Sequence, residues 1–233
     1  MMQAPPATTG VANVIAAVML LIEFGMLRQA LARDQIRLYV AQSALISVLA
    51  VVIAADRNLP DLYALAALSA ALKVVAVPLV MRRLLGRTVP DDADEAPGVA
   101  GSQTLSPASA VLAGIVLAAI GFFCFDALGF GAPQIHGPAA PALALALAAA
   151  MVLVAFGLMI VRRDVASQAI GFFSLENAIS LAALVVAAGL PLILETAFLF
   201  DLLVAVVVFG MLIRVQHGRS ESLSTSDLTR LRG

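Results

Sequence analysis

The chain has 233 residues, of which 62% are hydrophobic and 12% charged. Soluble proteins carry about 25% charge, and a mean hydropathy of +1.02 leaves too little polar surface for a soluble fold. A net charge of −1 excludes a basic face for nucleic acid, and one cysteine with two histidines excludes an iron–sulfur cluster, a structural zinc site or an intramembrane bis-histidine haem.

Met1 to Gly10 holds no basic residue, so it lacks the front of a signal peptide. The first apolar block is therefore expected to be a retained helix. About 20 apolar residues span a bilayer as a helix. Seven blocks approach that length: Val11–Leu31, Ile36–Ala55, Leu62–Leu85, Ala108–Phe130, Ala140–Val161, Val165–Ala188 and Leu192–Val215. The fourth is the weakest, because it runs into Asp126 and then a Gly/Pro stretch. The expected fold is an all-α, polytopic membrane helix bundle of about seven transmembrane helices.

Basic residues collect on the cytoplasmic side of such a bundle. With seven spans, twelve arginines share one side and Arg57 stands alone on the other. Lys73 remains inside a helix. That asymmetry predicts an outer N-terminus and a cytoplasmic C-terminus. Residues 88–107 read as a cytoplasmic linker, acidic through Asp91, Asp92, Asp94 and Glu95. Their spacing does not match a calcium loop. Residues 217–233 read as a polar cytoplasmic tail.

The chain also repeats itself. The run Ala16 to Gly25 reads against Ala148 to Gly157, including Met19 with Met151 and Phe24-Gly25 with Phe156-Gly157. Both runs lead into Arg-Asp, at Arg33-Asp34 and Arg163-Asp164, and Pro60 matches Pro191. This predicts two three-helix repeats, 1–87 and 140–216, with a spacer helix and outer loop at 108–139. An odd span between two three-span units makes them parallel.

Four ionisable residues fall near mid-depth: Glu23, Lys73, Glu176 and Asp201. At a rise of about 1.5 Å per residue they lie about 14–18 Å from one face. Such groups cost at least ~2.5 kcal/mol at the bilayer centre, so they mark an interior or a water path. A row of them at one depth could carry protons along the membrane plane. Each also has a plainer reading. Glu176-Asn177 can bond a neighbouring helix, as can Asp201; Lys73 can neutralise a carboxylate; Glu23 can reach toward Arg28. Glu195 and Asp126 lie near the outer interface, as access points for protons or as solvated charges.

The second unit resembles the K subunit of respiratory complex I and the C subunit of multisubunit cation/proton antiporters. The resemblance rests on Phe156-Gly157-Leu158 leading to Arg162-Arg163-Asp164, on Ile170-Gly171 with a mid-helix Glu176, and on Asp201 followed by Arg214. With the added N-terminal unit, the chain is similar to hydrogenase-4 component E, most closely in Gly171-Phe172-Phe173-Ser174-Leu175-Glu176-Asn177, Pro191, Glu195 and Asp201-Leu202-Leu203-Val204. Two features depart from the short K subunits: Glu176 lies about three residues further from the arginine pair, and the third-helix acid is Asp.

The resemblance implies a non-redox subunit of an energy-converting oxidoreductase complex in the bacterial inner membrane. Its partners would be antiporter-like membrane subunits, lipids and, indirectly, peripheral redox subunits. It implies no cofactor and no catalytic residue in this chain. Glu176, Asp201, Lys73 and Glu23 are the relay candidates. The rival readings are a structural anchor without a proton path, an antiporter subunit and a small-solute carrier. A carrier usually has matching broken helices, and only Pro78 marks such a break.

Overall fold

The computed structural model describes residues 7–29, 31–86, 105–128, 142–162 and 164–187, with 206, 207, 210 and 211. Regular structure among them is helical. The elements are α1 (Ala7–Arg28), α2 (Ala32–Arg57), α3 (Pro60–Ala70), a π-helical segment (Ala71–Ala76), α4 (Val77–Gly86), α5 (Pro107–Ala127), α6 (Ala142–Val161) and α7 (Val165–Ala187). The segment from α3 to α4 forms one rod, and among the described residues six rods are long and apolar enough to cross a membrane. The chain is a multi-pass membrane helix bundle. The fourth expected span is helical over Pro107–Ala127. The seventh, Leu192–Val215, lies mostly outside the described residues.

Local chemistry sets the ends of the rods. Asn58 closes α2 in the left-handed conformation, with φ 52°, and its N–H donates to Ala54 O. Pro60 then opens α3, where its missing N–H costs no bond. Asp164 precedes α7, and its carboxylate accepts from Ser167 N at 2.7 Å.

Helix α6 lies centrally, against α5, α7 and α1, while α2 packs on α1, α7 and α3. The α1–α2 and α6–α7 hairpins run in the same sense, because Arg162 at the end of α6 reaches carbonyls at the end of α1. Each hairpin carries the same device. Gln35 Nε2 donates to Gln29 O at 3.0 Å, six residues back, and Gln168 Nε2 donates to Arg162 O at 2.9 Å, also six back. The third helix expected in the second unit lies mostly outside the described residues.

The core has two apolar clusters. One gathers Ala12, Met19, Leu49, Leu65, Met151 and Leu181. The other gathers Met26, Ile36, Tyr39, Met81, Leu158 and Phe173. Glu23 on α1, Gln42 and Ser43 on α2, and Ser174, Glu176 and Asn177 on α7 are buried polar residues that fall between these clusters. Large apolar side chains such as Leu21, Leu112, Phe123 and Ile160 point outward, as a lipid-facing surface requires.

Helices α5 and α6 approach through Gly121. A Cβ there would lie 2.7 Å from Ala150 Cα and 2.8 Å from Ala149 O. Backbone cannot move aside as a side chain can. Gly121→Val is therefore expected to cost about 1–3 kcal/mol. A lower melting temperature in detergent would register it; an unchanged one would show that the two helices slide apart freely.

Candidate functional site

The π-helical segment places the first member of the site. Pro78 has no N–H, and in an α-helix its ring would crowd the Val74 carbonyl. The turn before it is widened instead: Val77 N–H donates to Leu72 O, five residues back. Lys73 sits in that turn and points inward, 2% exposed. Segments of this kind recur at functional positions.

Opposite Lys73, α7 presents three side chains. Lys73 Nζ lies 2.6 Å from both carboxylate oxygens of Glu176. It also donates to Asn177 Oδ1 at 3.3 Å and Ser180 Oγ at 3.1 Å. Ser180 Oγ donates to Glu176 Oε1 at 3.0 Å. The ammonium thus spends its three protons on three α7 side chains. Glu176 remains 8% exposed.

A second branch leads from Asn177 to α2 and α1. Asn177 Nδ2 donates to Gln42 Oε1 at 3.2 Å and Ser43 Oγ at 2.9 Å. Ser174 Oγ lies 3.1 Å from Gln42 Oε1 and 3.0 Å from Glu23 Oε1. Glu23, Gln42, Ser43, Ser174 and Asn177 are each 0% exposed. Glu23 Oε2 and Gln42 Nε2 have no hydrogen-bond partner among the described residues.

Three of the four mid-depth residues are therefore brought together. Lys73 and Glu176 pair directly, and Glu23 joins them through Ser174, Gln42 and Asn177. Asp201 and Glu195 lie outside the described residues, as does the side chain of Asp126. The expectation that Glu23 reaches toward Arg28 is corrected. Glu23 turns into the bundle toward Ser174, while Arg28 is exposed. Packing decides this, because α1 is covered by α2, α6 and α7 at that level.

Arg162 is a second correction. Its place in the sequence puts it among the cytoplasmic loop charges, yet it is 1% exposed. Its Nη2 donates to Leu27 O at 3.1 Å, to Met26 O at 3.4 Å and to Gln29 O. Burial pushes its guanidinium below the usual arginine range, and Asp164 opposes that shift.

A pocket opens onto the pair between α2, the α3 rod and α7. Ile46, Ser47, Leu65, Ser69, Ser180 and Leu184 line it, with Lys73 and Glu176 at its base. About 50 Å³ is open to the centres of water molecules, room for a few waters at roughly 10–15 Å³ each. Its walls lie between the pair and the α2–α3 turn.

Sequence reasoning found the charges and missed the neutral links, Gln42, Ser43 and Ser174. A signal existed. Residues 174, 177 and 180 are polar at helical spacing within an apolar helix, as are 43 and 47. Among the described residues no three His, Cys, Asp or Glu side chains gather as metal ligands. The site offers proton-exchanging groups at Lys73, Glu176 and Glu23, hydroxyls at Ser174 and Ser180, and amides that fix orientation.

Fold and site together define a multi-pass membrane protein with a buried Lys–Glu centre at mid-depth. The chain is similar to a Mycobacterium tuberculosis (strain ATCC 25618 / H37Rv) protein called Uncharacterized protein Rv0085, with 31% identity over 143 residues. That match covers 61% of this chain and 60% of the relative, so the chain spans less than two thirds of the relative's length. No family model matches the chain, and no solved structure matches it.

Proposed function

We propose that this chain is a non-redox membrane subunit of an energy-converting oxidoreductase complex of the hydrogenase-4 or complex I type, and that its Lys73–Glu176 pair handles protons during coupled transport. The observation that carries the reading is the pair itself: an ammonium and a carboxylate 2.6 Å apart at mid-depth, at the base of a pocket that admits water. Desolvated charges are costly there, so their retention beside a water path suits proton exchange. The resemblance over Gln168 to Gly210 supplies the class of complex, with Asp201 as the next carboxylate. In this reading the chain lies in the bacterial inner membrane with its N-terminus outside and its C-terminus in the cytoplasm, and antiporter-like subunits are its neighbours.

The test uses the assembled complex in sealed vesicles. Glu176→Gln keeps the shape and removes the exchangeable charge. Proton uptake per electron transferred is expected to fall at least about tenfold, below what a positioned acid–base group typically supplies, with electron transfer retained. Full coupling in an assembled Glu176→Gln complex would overturn the proposal.

One observation favours a second reading. All three Lys73 protons are already engaged, which is what a purely structural pair between the α3 rod and α7 needs. A structural anchor predicts that Glu176→Gln releases partner subunits on purification and leaves coupling intact in whatever assembles.

A further inference from the structure

We infer that the buried polar layer is a chain of hydrogen bonds with one direction, in which the Lys73 ammonium fixes the orientation of every link and holds Glu23 as a neutral carboxylic acid. This rests on the proton-handling reading of the same site and adds how its two ends are coupled.

Each side chain in the layer has a fixed number of protons to give. Lys73 is a donor only, so the Asn177 atom facing it is Oδ1. That places Nδ2 toward α2, where its two hydrogens serve Gln42 and Ser43. The Gln42 atom that meets Asn177 Nδ2 must then be an acceptor, which fixes it as Oε1. The same Oε1 lies 3.1 Å from Ser174 Oγ, so Ser174 gives its only proton to Gln42. Ser174 has none left for Glu23 Oε1, 3.0 Å away on the other side. Two oxygens at that distance, on residues that are both 0% exposed, need a hydrogen between them. It must come from Glu23.

The unpartnered Glu23 Oε2 agrees. A carboxylate there would leave a charged oxygen bare in an apolar interior, whereas the carbonyl of a neutral acid costs far less. Among the described residues the nearest buried cation is Arg162, just past α6, and its guanidinium is committed to the carbonyls of Met26 and Leu27 rather than to Glu23. α6 carries no ionisable side chain, α5 carries none before Cys124, and α7 carries Glu176 alone. On α2 the charged residues Arg33, Asp34, Arg37, Asp56 and Arg57 lie near the ends, and Tyr39 is the ionisable residue between them. Arg28 on α1 itself is exposed.

The chain also transmits in reverse. If Glu23 loses its proton, the carboxylate recruits the Ser174 hydroxyl. Gln42 Oε1 then loses a donor, and its amide turns to present Nε2. That would set Nε2 against Asn177 Nδ2, so Asn177 turns as well. Its Nδ2 then faces Lys73, and the ammonium loses an acceptor. Proton loss at Glu23 thereby loosens Lys73 from its neighbours with no proton crossing the two amides, and proton exchange at the Lys73–Glu176 pair biases Glu23.

Infrared difference spectroscopy on the full chain in lipid vesicles tests this. At neutral pH a carbonyl band of a neutral, buried carboxylic acid is expected, and it should vanish in Glu23→Gln, whose side-chain amide still donates to Ser174. Asn177→Leu cuts the chain two links away from Glu23 and keeps both charges of the pair. There the Glu23 band should move in frequency or be lost. If that variant does not fold, Lys73→Met/Glu176→Gln removes the charge-neutral pair and should have the same effect. Ser109→Ala, at the start of α5 and bonded only to Ser106, lies off the chain and should leave the band in place. Absence of a Glu23-dependent acid band, or a band unmoved by both remote changes, overturns the inference. Normal coupling in Glu176→Gln with the band behaving as expected overturns the proton-transport reading and leaves this chain standing.

Discussion

Lys73→Met is expected to destabilise the bundle by about 3–5 kcal/mol, the cost of leaving a buried charge without its partner. Glu176 would keep a carboxylate 8% exposed with the Ser180 hydroxyl as its remaining donor. Asn177 Oδ1 would lose its donor too. Against a total stability of about 5–15 kcal/mol for a domain, this is a large fraction. Lys73→Met/Glu176→Leu removes both charges and replaces them with apolar side chains of similar length. It should recover most of the loss, since such exchanges are often neutral or stabilising. Unfolding midpoints in mixed micelles for both variants decide the matter. A single variant as stable as the parent would show that water in the pocket already solvates Glu176. A double variant no better than the single would place the cost in packing of the π-helical turn.

Arg162→Met is expected to cost about 2–3 kcal/mol, because it removes a charged donor from the end of α1. The last four carbonyls of a helix have no partner within it. Here Arg162 Nη2 and Gln35 Nε2 supply the missing donors between them. Both reach Met26 O and Gln29 O, and Arg162 also takes Leu27 O. Arg162→Lys should recover only part of the loss, since an ammonium is more strongly hydrated than a guanidinium and costs more to bury. Losses from Arg162→Met and Gln35→Ala should be non-additive, because the two side chains serve the same carbonyls. Thermal melting of the two single variants and the double variant measures this. Faster hydrogen exchange at the α1–α2 turn locates it. Additive losses with unchanged exchange there would mean that the two side chains act independently.

The fold was legible because its signals are one-dimensional. Block length needs no knowledge of which helix meets which. The depth of Lys73 and Glu176 was readable for the same reason, being a residue count along a rod of fixed rise. Their pairing was not, because depth leaves the direction of a side chain around its helix open. Glu23 shows the difference: a residue count places it at the level of the pair, but its nearest charge in the sequence is Arg28 on the same helix, and its partner is Ser174 across the bundle. Arg162 shows the converse. In the sequence it reads as one more loop charge near a helix end, yet burial makes it a structural donor. Gln42 and Ser174 escaped because a search for charges passes over neutral side chains, although these carry the connection.

The π-helical turn has a consequence for how the α3 rod is timed. From Leu62 to Met81, both buried, is nineteen residues. An α-helix advances ~100° per residue, so that distance makes five turns and leaves ~100° over. Kept strictly α-helical, the rod would turn one of its two ends away from α2 and α7. One residue of slack, absorbed in Ala71–Ala76, brings the two halves back into phase with Lys73 at the seam. The lysine thus stands where the helix counts a residue without advancing its face. A chain shorter by one residue there would make a more regular rod, with Leu62 and Met81 turned inward together and no widened turn to carry Lys73.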